Sequence, residues 1–480
     1  MKIGTFQGLH LFLLIFLIVF GLTACNDKAN GGDDISSPVV PAESIKSINS
    51  INLGDSEESE ESEESEEEGI AAEETAVKLP KLPVRLTQKS PMPSIYIDIA
   101  PDDILYDEWT RGISVSLRNA GGWEFEFENI TARIRGRGNA SWWAMGEKHP
   151  IRLRFESPRS MFGTEYIARD WVLLANVIDY SHMRNVGALY LGSLLGRFDF
   201  TPIPAMFVHL YLNGDYRGVY QFTDHVQKYP GRVGVCFNPD PVLSGYFIEW
   251  CRHSRKPGDI SFEADGIPFL VHYPDSDLIT DGHVEFLSGF INKASLAIRG
   301  GVFDEVADLI DIPTFVDFYL VNEFTKNADV FFSSVFFTVK LDENNRRKIY
   351  AGPLWDFDQS AGGTFDSFYP DYSPQGAWTA TENDWFRRLM RIPEFKKTVS
   401  ERWSEIRDAE VAETLAEIRY LTTEYRDDFE CNFERWPNLL GKYTWRTPPE
   451  MQAIDTYEGQ VDYLLDWYEQ RILWMDEFLK

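Results

Sequence analysis

The sequence predicts an α+β fold in which a β-rich half precedes a helix-rich half. Two observations carry this. Between Ile95 and Trp250 short runs alternate apolar and polar residues and are broken by turn residues, the period of half-buried strands. From about Asp384 to Lys480 the aromatic and aliphatic residues recur at helical spacing instead. At 480 residues, 44% hydrophobic and 14% aromatic, the chain is long and apolar enough to bury a large core.

The chain opens with Lys2, an apolar run from Leu11 to Leu22, and Leu22-Thr23-Ala24-Cys25. This is the pattern of a bacterial lipoprotein leader cut before Cys25, whose sulfur then carries lipid and holds the protein on a membrane surface. An ordinary secretory leader with an incidental cysteine is the alternative. Both readings export the chain, and the run is short for a membrane span.

Residues 26–86 form a tether. It is rich in Gly, Ser, Asn and Pro and then in a Ser-Glu-Glu repeat from Ser56 to Glu68, too polar and too charged to pack. A spacer is one reading, and a set of serines phosphorylated by the domain they carry is the sharper one. Residues 26–80 hold 16 acids against 3 bases, yet of the net charge of −30 the body from residue 81 onward keeps −18. An acidic body argues against a nucleic-acid partner, whose phosphates need clustered cations.

The domain spans 87–480, with folding expected from near Pro93 and a β-rich part to about residue 260. Ile95 to Ile99, Ile113 to Leu117 and Trp123 to Phe127 read as strands. Ile134 to Trp142 then reads as a loop in which Gly136, Gly138, Asn139 and Ser141 could turn backbone N–H groups toward phosphate oxygens. Lys148 to Phe155 reads as a strand with basic residues on one face, which gives Lys148 a phosphate-facing role; solvated surface cations are the alternative. Trp171 to Asn176 is a buried-type strand. Asp179 to about Leu195 is a helix with Ser181 as N-cap and Gly196 as stop. Phe207 to Phe222 is a hairpin turned by Asn213-Gly214. Gly245 to Trp250 is a strand carrying Glu249, an acid that needs a partner if buried. Cys236 and Cys251 are open between a disulfide and buried free thiols.

Asn322 to Gly363 is the stretch around which the chemistry is organised. Val330 to Val339 and Ile349 to Trp355 read as the strands of a hairpin joined by the polar turn DENNRRK. Asp329 precedes the first run, and Asp356 and Asp358 follow the second. If the hairpin's open ends meet, three carboxylates gather and repel unless a cation sits among them. The alternative is solvated acids at strand ends. Phe365 to Ala380, rich in Gly, Ser, Pro and Tyr, reads as a mobile loop that could admit a peptide.

RGRGNASW with Lys148, LLANVIDYSHMRN, LYLNGDYRGVYQF, GYFIEW, NEFTKNAD and GPLWDFD follow one another as they do in the spore-coat protein H (CotH) kinase family, which this chain resembles over roughly residues 94–400. The resemblance implies an atypical protein-kinase-like fold, with a mainly β lobe and a helix-rich lobe around an ATP cleft. It implies transfer of the γ-phosphate of ATP, with Mg2+ or Mn2+, to serines of extracytoplasmic proteins with Ser-rich segments.

By position, Asp329 would be catalytic and Asp356 metal-binding. Lys148 would face the phosphates with Arg152 as a second candidate, and Glu249 would orient the lysine or lie behind it. These roles agree with the needs of phosphoryl transfer: an aligned hydroxyl, cations over the phosphate oxygens and a carboxylate to take the proton. Two residues depart from the pattern. Ser334 stands where ordinary kinases keep a metal-binding Asn, with Asp358 as a substitute ligand, and Asp224 stands where relatives often have Glu. A non-catalytic surface or coat assembly protein is the rival. The presence of both Asp329 and Asp356 favours the enzyme.

Overall fold

A computed structural model describes residues 92–480 apart from 100–105, 107, 120–125, 139, 144–147, 254–257 and 441–445. The expectations for Cys25, the tether and Asn139 lie outside the described residues.

Alternation of side chains makes the first half a barrel. Its strands are β1 (Ser94–Asp98), β2 (Thr110–Arg118), β3 (Phe127–Gly136), β4 (Ile151–Arg159), β5 (Ala168–Leu174), β6 (Phe207–Leu212) and β7 (Asp215–Asp224). They run in the order β1-β2-β3-β4-β5-β7-β6 and close through a parallel β1–β6 pair, Ser94 opposite His209 to Ile97 opposite Leu212. Every second residue points inward, so Ile95, Ile97, Val115, Ile134, Leu153 and Phe222 fill the interior. Closure leaves no edge strand exposed. The expected Asn213-Gly214 hairpin is present, with Leu212 opposite Asp215. Ile134 to Gly136, expected in a loop, extend β3, and a short turn of helix, α1 (Ala140–Trp143), follows.

The helix expected from Asp179 starts five residues later, as α2 (Arg184–Leu195). Ser181 is not its N-cap, because Met183 holds that position. Asp179 Oδ2 instead accepts from Arg184 N at 2.8 Å, a carboxylate serving a free N–H of the first turn. Gly196 ends the helix in the left-handed region as expected, at φ 66°.

The strand structure does not stop at the barrel. β8 (Tyr246–Trp250), β9 (Ser261–Ala264), β10 (Ile267–Tyr273), β11 (Val335–Leu341) and β12 (Arg347–Ala351) build a second, antiparallel sheet in the order β12-β11-β8-β10-β9. Three helices lie between β10 and β11: α3 (Asp281–Gly300), α4 (Phe303–Ala307) and α5 (Ile312–Thr325). In α5 every residue from Thr314 to Thr325 is buried, which is why its sequence is apolar almost all round.

The expected helical region follows as α6 (Thr379–Glu382), α7 (Asp384–Leu389), α8 (Pro393–Ile406), a π-helical turn (Arg407–Val411), α9 (Ala412–Glu424), α10 (Arg426–Arg435), α11 (Pro449–Gln452) and α12 (Tyr457–Phe478). Its stripe Trp385, Leu389, Phe395 and Val399 is wholly buried. Trp385 alone meets Phe337 at 5.2 Å, Trp250 at 6.0 Å and Phe315 at 6.2 Å, joining sheet to helices. A buried ring of this kind contributes roughly 1.5–3 kcal/mol.

The fold is thus mixed α and β, consistent with the α+β expectation. The β-rich part implied by the resemblance is specifically a closed seven-stranded barrel, and a second sheet runs through the helix-rich part. The seam between them is apolar: Val172 of β5 packs with Phe247, Phe336 and Trp355, which sets the segment after β12 against the barrel wall. No disulfide joins Cys236 to Cys251; Cys236 and Cys431 are exposed and Cys251 is buried. Among the described residues no helix is long and apolar enough to cross a membrane.

Candidate functional site

The end of α5 positions Asp329. Lys326 turns the chain in the left-handed region (φ 47°) and stops the helix. Asn327 then ties the turn on three sides. Its amide donates to Asn322 Oδ1 at 3.1 Å, its Oδ1 accepts from Asp329 N at 3.2 Å, and its carbonyl accepts from Trp378 Nε1 at 2.8 Å. Behind it the fully buried Glu323 pairs with the fully buried Arg471 at 2.8 Å and accepts from the N–H groups of Trp378 and Ala380. The NEFTKNAD stretch is therefore a scaffold for one carboxylate. Asp329 is 8% exposed. Its Oδ1 accepts from Tyr369 Oη at 2.5 Å and its Oδ2 from Gln359 Nε2 at 3.0 Å. Burial, reinforced by the nearby charge of Asp356, pushes its pKa up to about 6.

The second carboxylate comes from the segment after β12. Asp356 lies in the left-handed region at φ 67°, unusual for a residue with a side chain and a conformation that needs outside support. That support is the DYSHMRN stretch. Asn185 Oδ1 accepts from Phe357 N at 2.8 Å, and Arg184 Nε donates to Ser360 O at 2.9 Å. Arg184 itself is paired with Asp179 at 2.6 Å, both side chains fully buried. Gly363 is required here, since an added Cβ would stand 2.4 Å from Arg184 Nε. Asp356 Oδ2 accepts from Ser334 Oγ at 3.1 Å, and Ser334 N donates to Glu249 Oε1 at 2.8 Å.

These groups sense one another. Burial raises the pKa of Asp356, while Arg137 and the Ser334 bond pull it back. Asp358 is pushed well up by burial and then by Asp356 and Asp329. The three acids thus feel one another's charge, although not at the mouth of a hairpin. The strands are shorter than expected, and Asp329, six residues before β11, and Asp356, five after β12, both sit on loops. Arg137 is the cation facing Asp356 and Asp358, with its guanidinium 5.6 Å from the Trp355 ring centre.

Among the described residues no group of three or more His, Cys, Asp or Glu side chains is set to hold a metal ion. The surplus of buried negative charge nonetheless fits a divalent cation carried by one or two carboxylates, with phosphate and water completing its shell, the usual manner of Mg2+. Asp356 and Asp358 would be those carboxylates. Ser334 bonds to Asp356, so it would orient that carboxylate.

The other expected residues are placed differently. Lys148 precedes β4 and is fully buried, its Nζ donating to Ala175 O at 2.7 Å and Val219 O at 2.9 Å. Burial pushes its pKa well down. Arg152 is spent on Asp170 at 2.7 Å beneath Trp109, and burial lowers it to about 10. Glu249 does not reach the lysine; its partners are Ser334 N and His272 Nε2, the latter at 2.8 Å. Gly138 is in the left-handed region (φ 86°), its carbonyl accepting from Tyr106 Oη at 2.9 Å, and Ser141 lies close beside it in α1. Asp224 is fully buried and fully used, accepting from Tyr166 Oη, Arg232 Nε and Ile203 N.

The segment 365–380 is pinned rather than loose. Lys326 Nζ holds Asp371 Oδ2, Ser373 O and Gln375 O, and Arg471 Nη1 holds Pro374 O and Gly376 O. A small pocket lined by Lys326, Gln359, Gly363, Tyr369, Asp371 and Trp378 lies beside Asp329.

Reading the sequence missed Arg137, Arg184, Asn185, Gln359 and Tyr369. The first four lie inside or next to motifs that had been singled out, RGRGNASW, LLANVIDYSHMRN and GPLWDFD, so a signal was present. Tyr369 lies in the segment read as a peptide-admitting loop, with nothing to single it out within that segment.

A family model described as CotH kinase protein matches residues 132–475, a range that takes in every one of these groups. No curated protein matches the chain.

Proposed function

Because the chain belongs to the CotH kinase protein family, we propose that it transfers the γ-phosphate of ATP to serine hydroxyls of extracytoplasmic proteins. In this reading it is anchored to a bacterial membrane by lipid on Cys25, with residues 26–86 as spacer. The observation that carries the activity is Asp329, a buried carboxylate whose pKa of about 6 suits a base that takes a proton from a hydroxyl near neutral pH. Asp356 and Asp358 are the residues to hold a divalent cation, which when bound neutralises charge on the phosphate oxygens. Arg137, over Trp355 and facing both acids, is placed to meet the phosphate tail. Ser334 holds Asp356 in place, and Arg184 with Asn185 holds the segment that bears it.

The test is incubation of the chain with labelled ATP and Mg2+ or Mn2+, with and without a Ser-rich acceptor protein. Label on the chain or the acceptor that disappears in Asp329→Asn and in Asp356→Asn is the expected result. Absence of nucleotide binding altogether would leave the non-catalytic assembly role.

A further inference from the structure

Asp329 has no free oxygen. Gln359, from the segment that carries Asp356 and Asp358, takes Oδ2 at 3.0 Å, and Tyr369 takes Oδ1 at 2.5 Å. Tyr369 is the group that stands where an acceptor hydroxyl must stand for Asp329 to receive its proton: it is an O–H donor, it points at the base, and it is 6% exposed.

Its ring is set apart from the main cores, in a small cluster of its own with Ala328, Val330 and Trp378. Close by in sequence Phe368 is 54% exposed, and Asp366 bonds the N–H groups of Phe368 and Tyr369. Arg446 lies 5.5 Å from the Tyr369 ring centre, pairs with Asp366 at 2.7 Å and donates to Gln359 Oε1 at 3.2 Å. A cation already paired with Asp366 thus lies beside the phenol.

We propose that Tyr369 is an intramolecular phosphoryl acceptor, and that its modification opens the acceptor side of the site. This rests on the kinase reading above. In the step Tyr369 Oη forms a bond to the γ-phosphorus of ATP as the bond from that phosphorus to the β–γ bridging oxygen breaks. The phenolic proton passes to Asp329 Oδ1, and ADP leaves. The new phosphate carries close to two negative charges beside Asp329 and Asp366, so like-charge repulsion drives Tyr369 away from the base, and Arg446 exchanges Asp366 for the more highly charged phosphate. Asp329 Oδ1 is then open to the hydroxyl of a protein serine.

The experiment uses the full chain with ATP and Mg2+, followed by mass mapping of phosphopeptides over time. Tyr369 is expected to be phosphorylated at a rate independent of chain concentration, and at least roughly 100-fold more slowly in Asp329→Asn. Labelling of an added Ser-rich protein should show a lag that preincubation with ATP abolishes, and Tyr369→Phe should carry no phosphotyrosine. Serine labelling or ATP hydrolysis with Tyr369 unmodified throughout, or labelling of Tyr369 at a rate that grows with chain concentration, overturns the assignment and leaves the kinase reading intact. No ATP turnover of any kind overturns both.

Discussion

Arg184 Nη1 lies 2.6 Å from Asp179 Oδ1, with neither side chain exposed to solvent, and the same guanidinium holds Ser360 O three residues after the Asp356-Phe357 step. One buried ion pair therefore links the start of α2 to the segment bearing the acid cluster. Removing one partner strands the other charge. Arg184→Met is expected to lower stability by about 3–5 kcal/mol in equilibrium urea unfolding, and the double variant with Asp179→Leu by much less. A double variant as unstable as the single would show that the ion pair is not what matters there.

Asp329 sets a pH dependence of opposite sign for activity and stability. Its folded pKa of about 6 lies above the ordinary 3.8, so the folded protein favours the neutral acid. The associated stability is present below about pH 4 and is lost as pH rises through about 6, on the order of 3 kcal/mol in all. Phosphotransfer needs the ionised base and should climb over that same interval. Asp329→Asn is expected to raise the thermal midpoint at pH 7 while lowering kcat by roughly 100-fold or more, without the inflection near pH 6. An unchanged pH profile in that variant would remove Asp329 from the base role.

Burial raises both Asp356 and Asp358, and their ionised forms repel. Mg2+ or Mn2+ should relieve this. Thermal unfolding of the wild-type chain is expected to shift upward by a few degrees with millimolar cation, and more with ATP added, by mass action on the folded state. Asp356→Asn should lose most of the shift. An equal shift in both proteins would place the cation elsewhere.

Variants of Lys148 and Arg137 would separate a structural role from a phosphate-facing one. Lys148→Met leaves the carbonyls of Ala175 and Val219 without their donor and should cost about 1–3 kcal/mol of stability with little change in affinity for ATP. Arg137→Gln should do the reverse, weakening ATP about tenfold or more at near-constant stability. Nucleotide titrations and urea curves on both variants decide it.

Much of the fold was legible because strand and helix periods are local. Ile95, Ile97 and Leu117 alternate and are buried; Trp385 and Phe395 keep helical spacing and are buried. Asn213-Gly214 announced its hairpin. Element ends were less legible, since they depend on partners far away. α2 begins at Arg184 because Asp179 folds back on its N–H, and β11 begins only at Val335, after the turn that the Trp378 and Asn383 side chains hold through the carbonyls of Asn327 and Val330.

For the site, the sequence by itself singled out the candidate carboxylates Asp329, Asp356 and Asp358. Asp329 is held by its near neighbour Asn327, whereas Asp356 is held by Ser334, 22 residues away, and its segment, at Phe357, by Asn185, 172 residues away. Tertiary structure alone decided the cations and the closure of the barrel. Lys148, Arg152 and Arg137 are equally basic on paper. Which of them is consumed by carbonyls, which by Asp170, and which is left facing acid depends on groups 18 to more than 200 residues away. Charge acts through space and through the dielectric that packing creates, and neither is written in local order. The same holds for Tyr369, whose hydroxyl meets Asp329 only because Lys326 and Arg471 hold its segment in place.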